Sequence, residues 1–169
     1  MAIESIVIGR GGRTPVGVVG TGGRRLQALT RSFTVGPAAG TLTVSHTADG
    51  VPLRVDIRVS KQGSTLYGLL DVLSATLTRG LACGVPLPNL LHGLLGTRFE
   101  PAGMTEDPQI GQASSVPDYV ARRLALDFLP FDRRQELGVL TREERSTGEQ
   151  AVWPVAPCRT AAVAGPRHG

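Results

Sequence analysis

The feature that most constrains the fold is an alternation of apolar residues with polar residues or proline over positions 51–60. The run reads Val51-Pro52-Leu53-Arg54-Val55-Asp56-Ile57-Arg58-Val59-Ser60. A period of two places every second side chain on the same face, so this segment predicts a strand with one buried face. Shorter strand-like runs at 32–36 and 41–45, each followed by turn residues (36–40 and 47–50), extend it to a three-stranded antiparallel meander. One face of this meander is apolar and is expected to pack against other elements of the chain.

A helical pattern that follows directly predicts the element that packs on this face. Leucines recur at helical offsets between residues 64 and 83, at Leu66, Leu69, Leu70, Leu73, Leu77 and Leu81. Ser64 is the expected N-cap and Gly84 the expected C-terminal glycine of this helix. Further helices are predicted over 88–95, 115–130 and 132–137, with a structured loop over 96–113. We therefore expect an α+β fold, a small antiparallel β-meander covered by three to four helices.

The two ends of the chain differ from this central domain, which is predicted to span 24–140. Residues 9–23 are rich in glycine but contain neither a G-x-G-x-x-G nor a P-loop motif, so 1–23 is expected to be a flexible basic arm. Beyond residue 140 the sequence is charged and then rich in Pro and Ala, which predicts a disordered tail over 141–169.

The excess of positive charge lies in the N-terminal arm. The first 35 residues contain five arginines and one glutamate, whereas the remaining 134 contain 13 basic and 13 acidic residues. A basic arm can bind nucleic acid or an acidic protein surface, and a solvated leader is the alternative.

No catalytic or metal-binding pattern is visible. The three histidines do not group with carboxylates or cysteines, and the two cysteines fit no zinc spacing. His92 is expected to be half-buried or at the surface, and Cys83 to lie in the core. Asp118 and Asp127 are nine residues apart on one predicted helix, too far for a carboxylate pair, and are expected to be surface charges.

No membrane-associated or secreted class fits the sequence. No apolar stretch approaches about 18 residues, and the start lacks the pattern of a signal peptide. We expect a cytoplasmic protein whose cysteines, Cys83 and Cys158, are not joined in a disulfide framework.

Four sequence motifs occur in an order that resembles a known family. They are Lys61-Gln62-Gly63-Ser64-Thr65, Gly84-Val85-Pro86-Leu87, Arg98-Phe99-Glu100-Pro101-Ala102-Gly103-Met104, and Asp118-Tyr119 with Arg122-Arg123-Leu124-Ala125-Leu126-Asp127-Phe128-Leu129-Pro130. Over residues 24–150 the chain resembles the C-terminal TSCPD domain of adenosylcobalamin-dependent ribonucleotide reductases. The Thr-Ser-Cys-Pro-Asp motif of that family corresponds to Ser114-Ser115-Val116-Pro117-Asp118, so Val116 replaces the cysteine and no thiol chemistry is expected there.

The resemblance implies a role in deoxyribonucleotide supply for DNA synthesis without catalysis by this chain. Reductases of this family carry a large barrel with a radical cysteine, a redox cysteine pair and a cobalamin site, which do not fit in 169 residues. We therefore expect a stand-alone, accessory or partial relative with no catalytic residues, no metal and no cofactor of its own, adenosylcobalamin being implied only for the family. The implied partner is a reductase catalytic chain. The alternatives are a repurposed nucleotide- or nucleic-acid-binding module, and a non-functional remnant.

Two candidate sites follow from the shared motifs. Lys61, Gln62, Gly63 and Ser64 precede a predicted helix, whose free backbone N–H groups can bind a phosphate or nucleotide. The alternative is a tight turn with a cap. The second site, called here the docking loop, comprises Arg98, Phe99, Glu100, Pro101 and Gly103, and is expected either to contact a reductase or to be fixed by an Arg98–Glu100 ion pair.

Overall fold

The structure, a computed structural model, describes residues 14–16, 26–60 and 63–146. Its centre is an antiparallel sheet in which the strands neighbour one another in chain order. The strands are β1 (Thr14–Val16), β2 (Gln27–Val35), β3 (Ala38–His46) and β4 (Pro52–Val59). The predicted α+β class and the predicted meander, formed by β2 to β4, are confirmed.

Two features of the sheet differ from the prediction. The turn expected over 36–40 contains only Gly36 and Pro37, because Val35 pairs with Ala38 and the strands continue to the tightest possible hairpin. The strand β1 lies inside the segment predicted as a linker, and Thr14 pairs with Thr30. Proline is tolerated at Pro15 because β1 is an edge strand in the described part of the chain. The rest of the predicted arm lies outside the described residues.

The long helix α1 (Thr65–Ala82) protects the free edge of β4 as well as its apolar face. The backbone N–H of Ile57 donates to Ser74 Oγ at 3.0 Å, and the N–H of Val55 donates to Thr78 Oγ1 at 3.1 Å. The hydroxyl of Thr78 in turn donates to the carbonyl oxygen of Val55. These bonds satisfy backbone groups that an edge strand would otherwise offer to another chain.

The ends of α1 are as predicted, but part of its apolar stripe is not. Ser64 Oγ accepts from the N–H of Tyr67, and Gly84 follows the helix with a φ of 76°. Leu70 is buried, whereas its neighbour Leu69 is 59% exposed and does not face the sheet. The expectation that Leu69 belongs to the buried stripe was wrong, since one residue rotates the side chain by about 100°.

The remaining elements follow α1 and form the second half of the domain. They are α2 (Leu87–His92), β5 (Gly103–Met104), β6 (Gln112–Ala113), α3 (Val116–Phe128), α4 (Phe131–Glu136) and α5 (Arg142–Ser146). The predicted loop over 96–113 therefore contains a two-stranded ladder, β5 with β6, which is too short to leave a sequence pattern.

Two further features differ from the predictions. The helix α5 lies in the segment assigned to the tail, where the N–H of Arg142 donates to Gln109 O and Glu144 forms an ion pair with Arg134. The ordered domain therefore extends beyond residue 140 to at least 146. Cys83 is exposed and not in the core, because it is the C-cap of α1 and follows the last turn that packs on the sheet.

The core lies between the sheet and the helices. Most of its apolar residues come from β2, β3, β4, α1, α2 and α3, and Ile110, Ala113 and Val139 complete it. The ring centroids of Phe33 and Tyr119 lie 5.1 Å apart between the two layers. Among the described residues, no helix combines the length and the apolar character needed to cross a membrane.

Candidate functional site

The docking loop lies in the connection between α2 and α3, and one carboxylate holds both ends of that connection. Asp118 Oδ1 accepts from the N–H of Gly96 at 2.8 Å, and Oδ2 accepts from the N–H of Ser114 at 3.0 Å. Arg122 Nε donates to both oxygens, at 3.0 and 3.1 Å. The Asp118 side chain is 1% exposed, so the expectation of a surface charge was wrong. Four hydrogen bonds make this buried carboxylate the clasp of the loop.

The charge of Asp118 is maintained by these partners. Burial raises the pKa of its carboxyl group, but hydrogen bonds from Arg122 and from the two loop amides outweigh burial and hold the pKa below its usual value. The group is therefore ionised at neutral pH and remains an acceptor of hydrogen bonds.

The other residues of the family motif also have structural roles. Ser115 caps α3 by accepting from the N–H of Asp118, and its hydroxyl lies 3.0 Å from Thr97 Oγ1. The N–H of Phe99 donates to the carbonyl of Ser114 at 3.3 Å. Val116 is fully buried in the core. The structure thus brings together the family motif and the docking loop, which sequence analysis treated separately.

The far side of the docking loop is packed against the β2–β3 turn. The N–H of Gly36 donates to Met104 O at 3.0 Å, and a side chain at Gly36 would collide with the carbonyl of Ala102. Gly103, with a φ of 135°, approaches the same turn. Only glycine combines this backbone conformation with so close an approach.

The side chains of the loop point outward from this fixed backbone. Phe99 is 46% exposed, and Met104, the residue directly after the loop, is 67% exposed. Arg98 and Glu100 are also exposed. Within the described residues Arg98 makes no ion pair with Glu100, whose carboxylate instead accepts from the N–H of Ala102 at 3.1 Å. The loop is therefore held by Asp118 and Gly36, and Arg98 remains available.

A second buried carboxylate, Asp127, joins the sheet to α3. Arg31 donates to it through Nε and Nη2, at 3.0 and 2.8 Å, and Arg123 does the same at 3.1 and 3.0 Å. The side chains of Asp127 and Arg123 are each 3% exposed. The prediction of a surface charge at Asp127 was also wrong. Two signals in the sequence could have indicated the network. Arg31 occupies an inward position of β2, and Arg123 and Asp127 are four residues apart on one helix.

The network continues from Arg123 to the connection that carries the docking loop. Its Nη1 donates to Asp107 Oδ2 at 3.0 Å and to Gln109 Oε1 at 2.8 Å. The Tyr119 hydroxyl also donates to Asp107, and burial together with this carboxylate raises the pKa of Tyr119. Two arginines and two aspartates balance in charge, and in the described part of the chain no buried side-chain polar atom lacks a partner. This network links the sheet, α3 and the connection between α2 and α3. Its side chains are all paired with one another and are not available for catalysis.

The predicted anion site is described only in part. Lys61 and Gln62 lie outside the described residues, Gly63 is exposed with a φ of 74°, and Ser64 is the N-cap of α1. These positions agree with a tight turn that ends in a cap. Binding of a phosphate there stays a prediction.

A surface groove of about 550 Å³ lies elsewhere, at the end of the β2–β3 hairpin away from Gly36. It is lined by Gln27, Ala28, Leu29, His46, Asp49, Gly50, Asp127 and Phe128, none of which was a predicted site residue. The ring of His46 lies 2.8 Å from Thr47 O and meets Phe128 edge to face. His92 is exposed, as expected. Among the residues that the structure describes, no three His, Cys, Asp or Glu side chains form a group that could hold a metal ion.

Comparison with known proteins gives one family model and a set of similar enzymes. The model of the TSCPD domain matches residues 18–128. The vitamin B12-dependent ribonucleotide reductase of Streptomyces avermitilis is 49% identical over 117 residues, which are 69% of this chain and 12% of that enzyme. The enzyme of the same name from Streptantibioticus cattleyicolor is 48% identical over 117 residues, 69% of this chain and 20% of that protein. The one from Rhodopirellula baltica is 38% identical over 103 residues, 61% of this chain and 10% of the enzyme.

These matches concern a limited part of the relatives. The chain spans between 10% and 20% of the length of the three enzymes, and no solved structure matches it. The matched region, 18–128, includes the docking loop, the family motif and the buried clasp Asp118.

Proposed function

Because the chain belongs to the TSCPD domain family, which its relatives show to be related to vitamin B12-dependent ribonucleotide reductases, we propose that it is an accessory domain of ribonucleotide reduction. It would dock onto a reductase chain and so act in deoxyribonucleotide supply, in the cytoplasm. The observation that supports docking is the loop itself: its backbone is clasped by Asp118 and packed on Gly36, while Phe99 and Arg98 stay exposed.

Such a loop has the chemistry of a protein-binding surface. Aromatic residues, Met and Arg are enriched where proteins meet, and a small number of them supply most of the binding energy. Phe99, Met104 and Arg98 are of these types. Because the loop backbone is already fixed, binding costs little conformational entropy beyond that of the side chains.

The catalytic parts would belong to the partner. Val116 stands where the family motif has cysteine, and the cysteine of the described residues, Cys83, is 33 positions away at the end of α1. We therefore propose that adenosylcobalamin and the radical chemistry reside in the reductase chain, and that this domain contributes binding.

A two-protein assay tests this proposal. The full chain is added to a vitamin B12-dependent reductase, and to the same reductase truncated before its own TSCPD domain, with adenosylcobalamin and a dithiol. Direct binding and ribonucleotide turnover are both measured. We expect binding that changes turnover, most clearly with the truncated enzyme.

Point variants test whether the docking loop makes the contact with the reductase. Phe99→Ala should weaken binding by about tenfold or more, because loss of a central aromatic anchor typically costs about 2 kcal/mol. Phe131→Ala is the matched control, since Phe131 is also 46% exposed but lies on α4. If the chain neither binds a reductase nor changes its turnover, the proposal is wrong. Steeply salt-dependent binding of a nucleotide or nucleic acid would then favour the alternative module.

A further inference from the structure

The outward face of α1 is more apolar than a solvent-exposed helix face should be. Between residues 65 and 83 the exposed positions are Thr65, Gly68, Leu69, Asp71, Val72, Ala75, Thr76, Arg79, Ala82 and Cys83. Only Asp71 and Arg79 are charged, while Leu69 and Val72 are 59% and 64% exposed. A surface helix normally carries charged residues opposite its buried stripe, and a helix that is apolar on all sides is normally covered.

The two charges of this face are arranged symmetrically. Asp71 and Arg79 lie four residues before and after Ala75, which is about 6 Å along the axis in each direction. At about 100° per residue they lie some 40° to either side of Ala75, on opposite flanks of the same face. If two α1 helices pack antiparallel about a twofold axis at Ala75, Asp71 of each copy lies level with Arg79 of the other.

Both charges are available for such a contact. Within the described residues Arg79 makes no ion pair, and the only one of Asp71 is a 3.7 Å contact with Arg58 at the surface. Arg58 is already held more closely by Asp56, at 2.7 Å. The small side chain of Ala75 at the centre allows the two helices to approach, and Val72, one turn earlier, is then covered by the partner helix.

We propose that this face is the interface of a homodimer, with two antiparallel α1 helices and two reciprocal Asp71–Arg79 ion pairs. A second copy is the occupant that the charges favour, because in a self-complementary, isologous contact each surface charge finds its opposite at the same height on the other copy. The interface shares no residue with the docking loop, so it goes beyond the proposed function and can fail independently of it.

Sedimentation equilibrium of the full chain measures the association. We expect a species of twice 17.7 kDa to form in the micromolar range, because one face of an 18-residue helix is small compared with standard interfaces. Asp71→Arg places like charges opposite each other and should raise the dissociation constant at least about tenfold, as should Arg79→Asp. The double variant Asp71→Arg/Arg79→Asp restores the opposite charges and should dimerise as the native chain does. Asp49→Arg is the matched control, an equal charge change at an exposed turn.

Cross-linking tests whether Ala75 lies at the twofold axis of the proposed dimer. In a chain with Cys83→Ser and Cys158→Ser, Ala75→Cys places two thiols at the twofold axis, where diamide should oxidise them to an intermolecular disulfide. Arg54→Cys in the same background, at an exposed position on the opposite face of the sheet, should not cross-link. A monomer at every concentration, or a double charge variant that associates as weakly as the single ones, would overturn the proposal.

Discussion

Replacement of Asp118 by Asn is the sharpest test of how the docking loop is held. Asn has the shape of Asp but only one acceptor oxygen and no charge. Of the two loop amides that now bind the carboxylate, at Gly96 and Ser114, only one can keep its acceptor. The other faces the NH2 group of the new side chain, and Arg122 loses its ionic partner.

The cost can be worked from these contacts. A buried N–H left without a partner costs about 1–3 kcal/mol. The Arg122 side chain is 22% exposed and can be solvated in the variant. The loss of its ion pair therefore costs less, about 1 kcal/mol or below. We expect Asp118→Asn to lower the free energy of unfolding by about 1–4 kcal/mol, which is a large part of the usual stability of a domain.

Two measurements check this prediction. Urea denaturation gives the change in the free energy of unfolding, and amide hydrogen exchange reports on Gly96 and Ser114 individually. Asp132→Asn is the control, because Asp132 is an exposed acid in the first turn of α4 and should cost less than about 0.5 kcal/mol. Unchanged protection of both amides in Asp118→Asn would refute the role of Asp118 as the clasp of the loop.

Three further predictions concern the rest of the scaffold. Asp127→Asn removes the carboxylate of Arg31 and leaves the buried guanidinium of Arg123 with that of Asp107 alone. The free energy of unfolding should fall by about 3–5 kcal/mol in the same urea assay, whereas a loss below about 1 kcal/mol would contradict a buried ion-pair network. Ser74→Ala removes the acceptor of the Ile57 amide and should cost about 1–3 kcal/mol, while Thr76→Ala on the exposed face of α1 should change little; equal losses would argue against protection of the β4 edge. The hydrogen bond from Arg134 lowers the pKa of Glu144 to about 2, so this interaction stabilises the fold above the ordinary pKa of about 4.5 and is lost as the pH falls towards 2. Urea titrations between pH 5 and pH 2.5 should therefore show a shallower loss of stability in Glu144→Gln than in the native chain, and parallel curves would contradict this role.

Elements with a local pattern could be predicted from the sequence. The alternation at 51–60 became β4, and the leucines after Ser64 became α1 with the expected cap. The start of α3 after Ser115 was also correct, since a serine followed by Pro117 and an acidic residue is a local signal. Each of these depends on residues a few positions apart, which periodicity and capping chemistry can indicate.

What could not be predicted depends on distant pairings. Arg31 and Asp127 are separated by 96 positions, so nothing near Asp127 shows that a strand residue will bury it. The strand β1 requires β2 as its partner, and α5 requires Gln109 and Arg134, so their own residues reveal little. The same holds for the clasp, because Asp118 was expected to be a surface charge on a helix and not the partner of Gly96, 22 positions earlier.

The family motif can now be understood physically in this chain. Asp118 accepts from the N–H of Gly96, and the carbonyl of Ser114 accepts from the N–H of Phe99. Ser115 caps α3, and Pro117 lies in its first turn. The position at which the family motif has cysteine is Val116, which is fully buried in the core. A side chain there is packed away from water and from any partner, so replacing a thiol by an isopropyl group at that position removes no group that a partner could reach. In this chain the motif therefore holds the docking loop without a cysteine, through Asp118 and the backbone of Ser114.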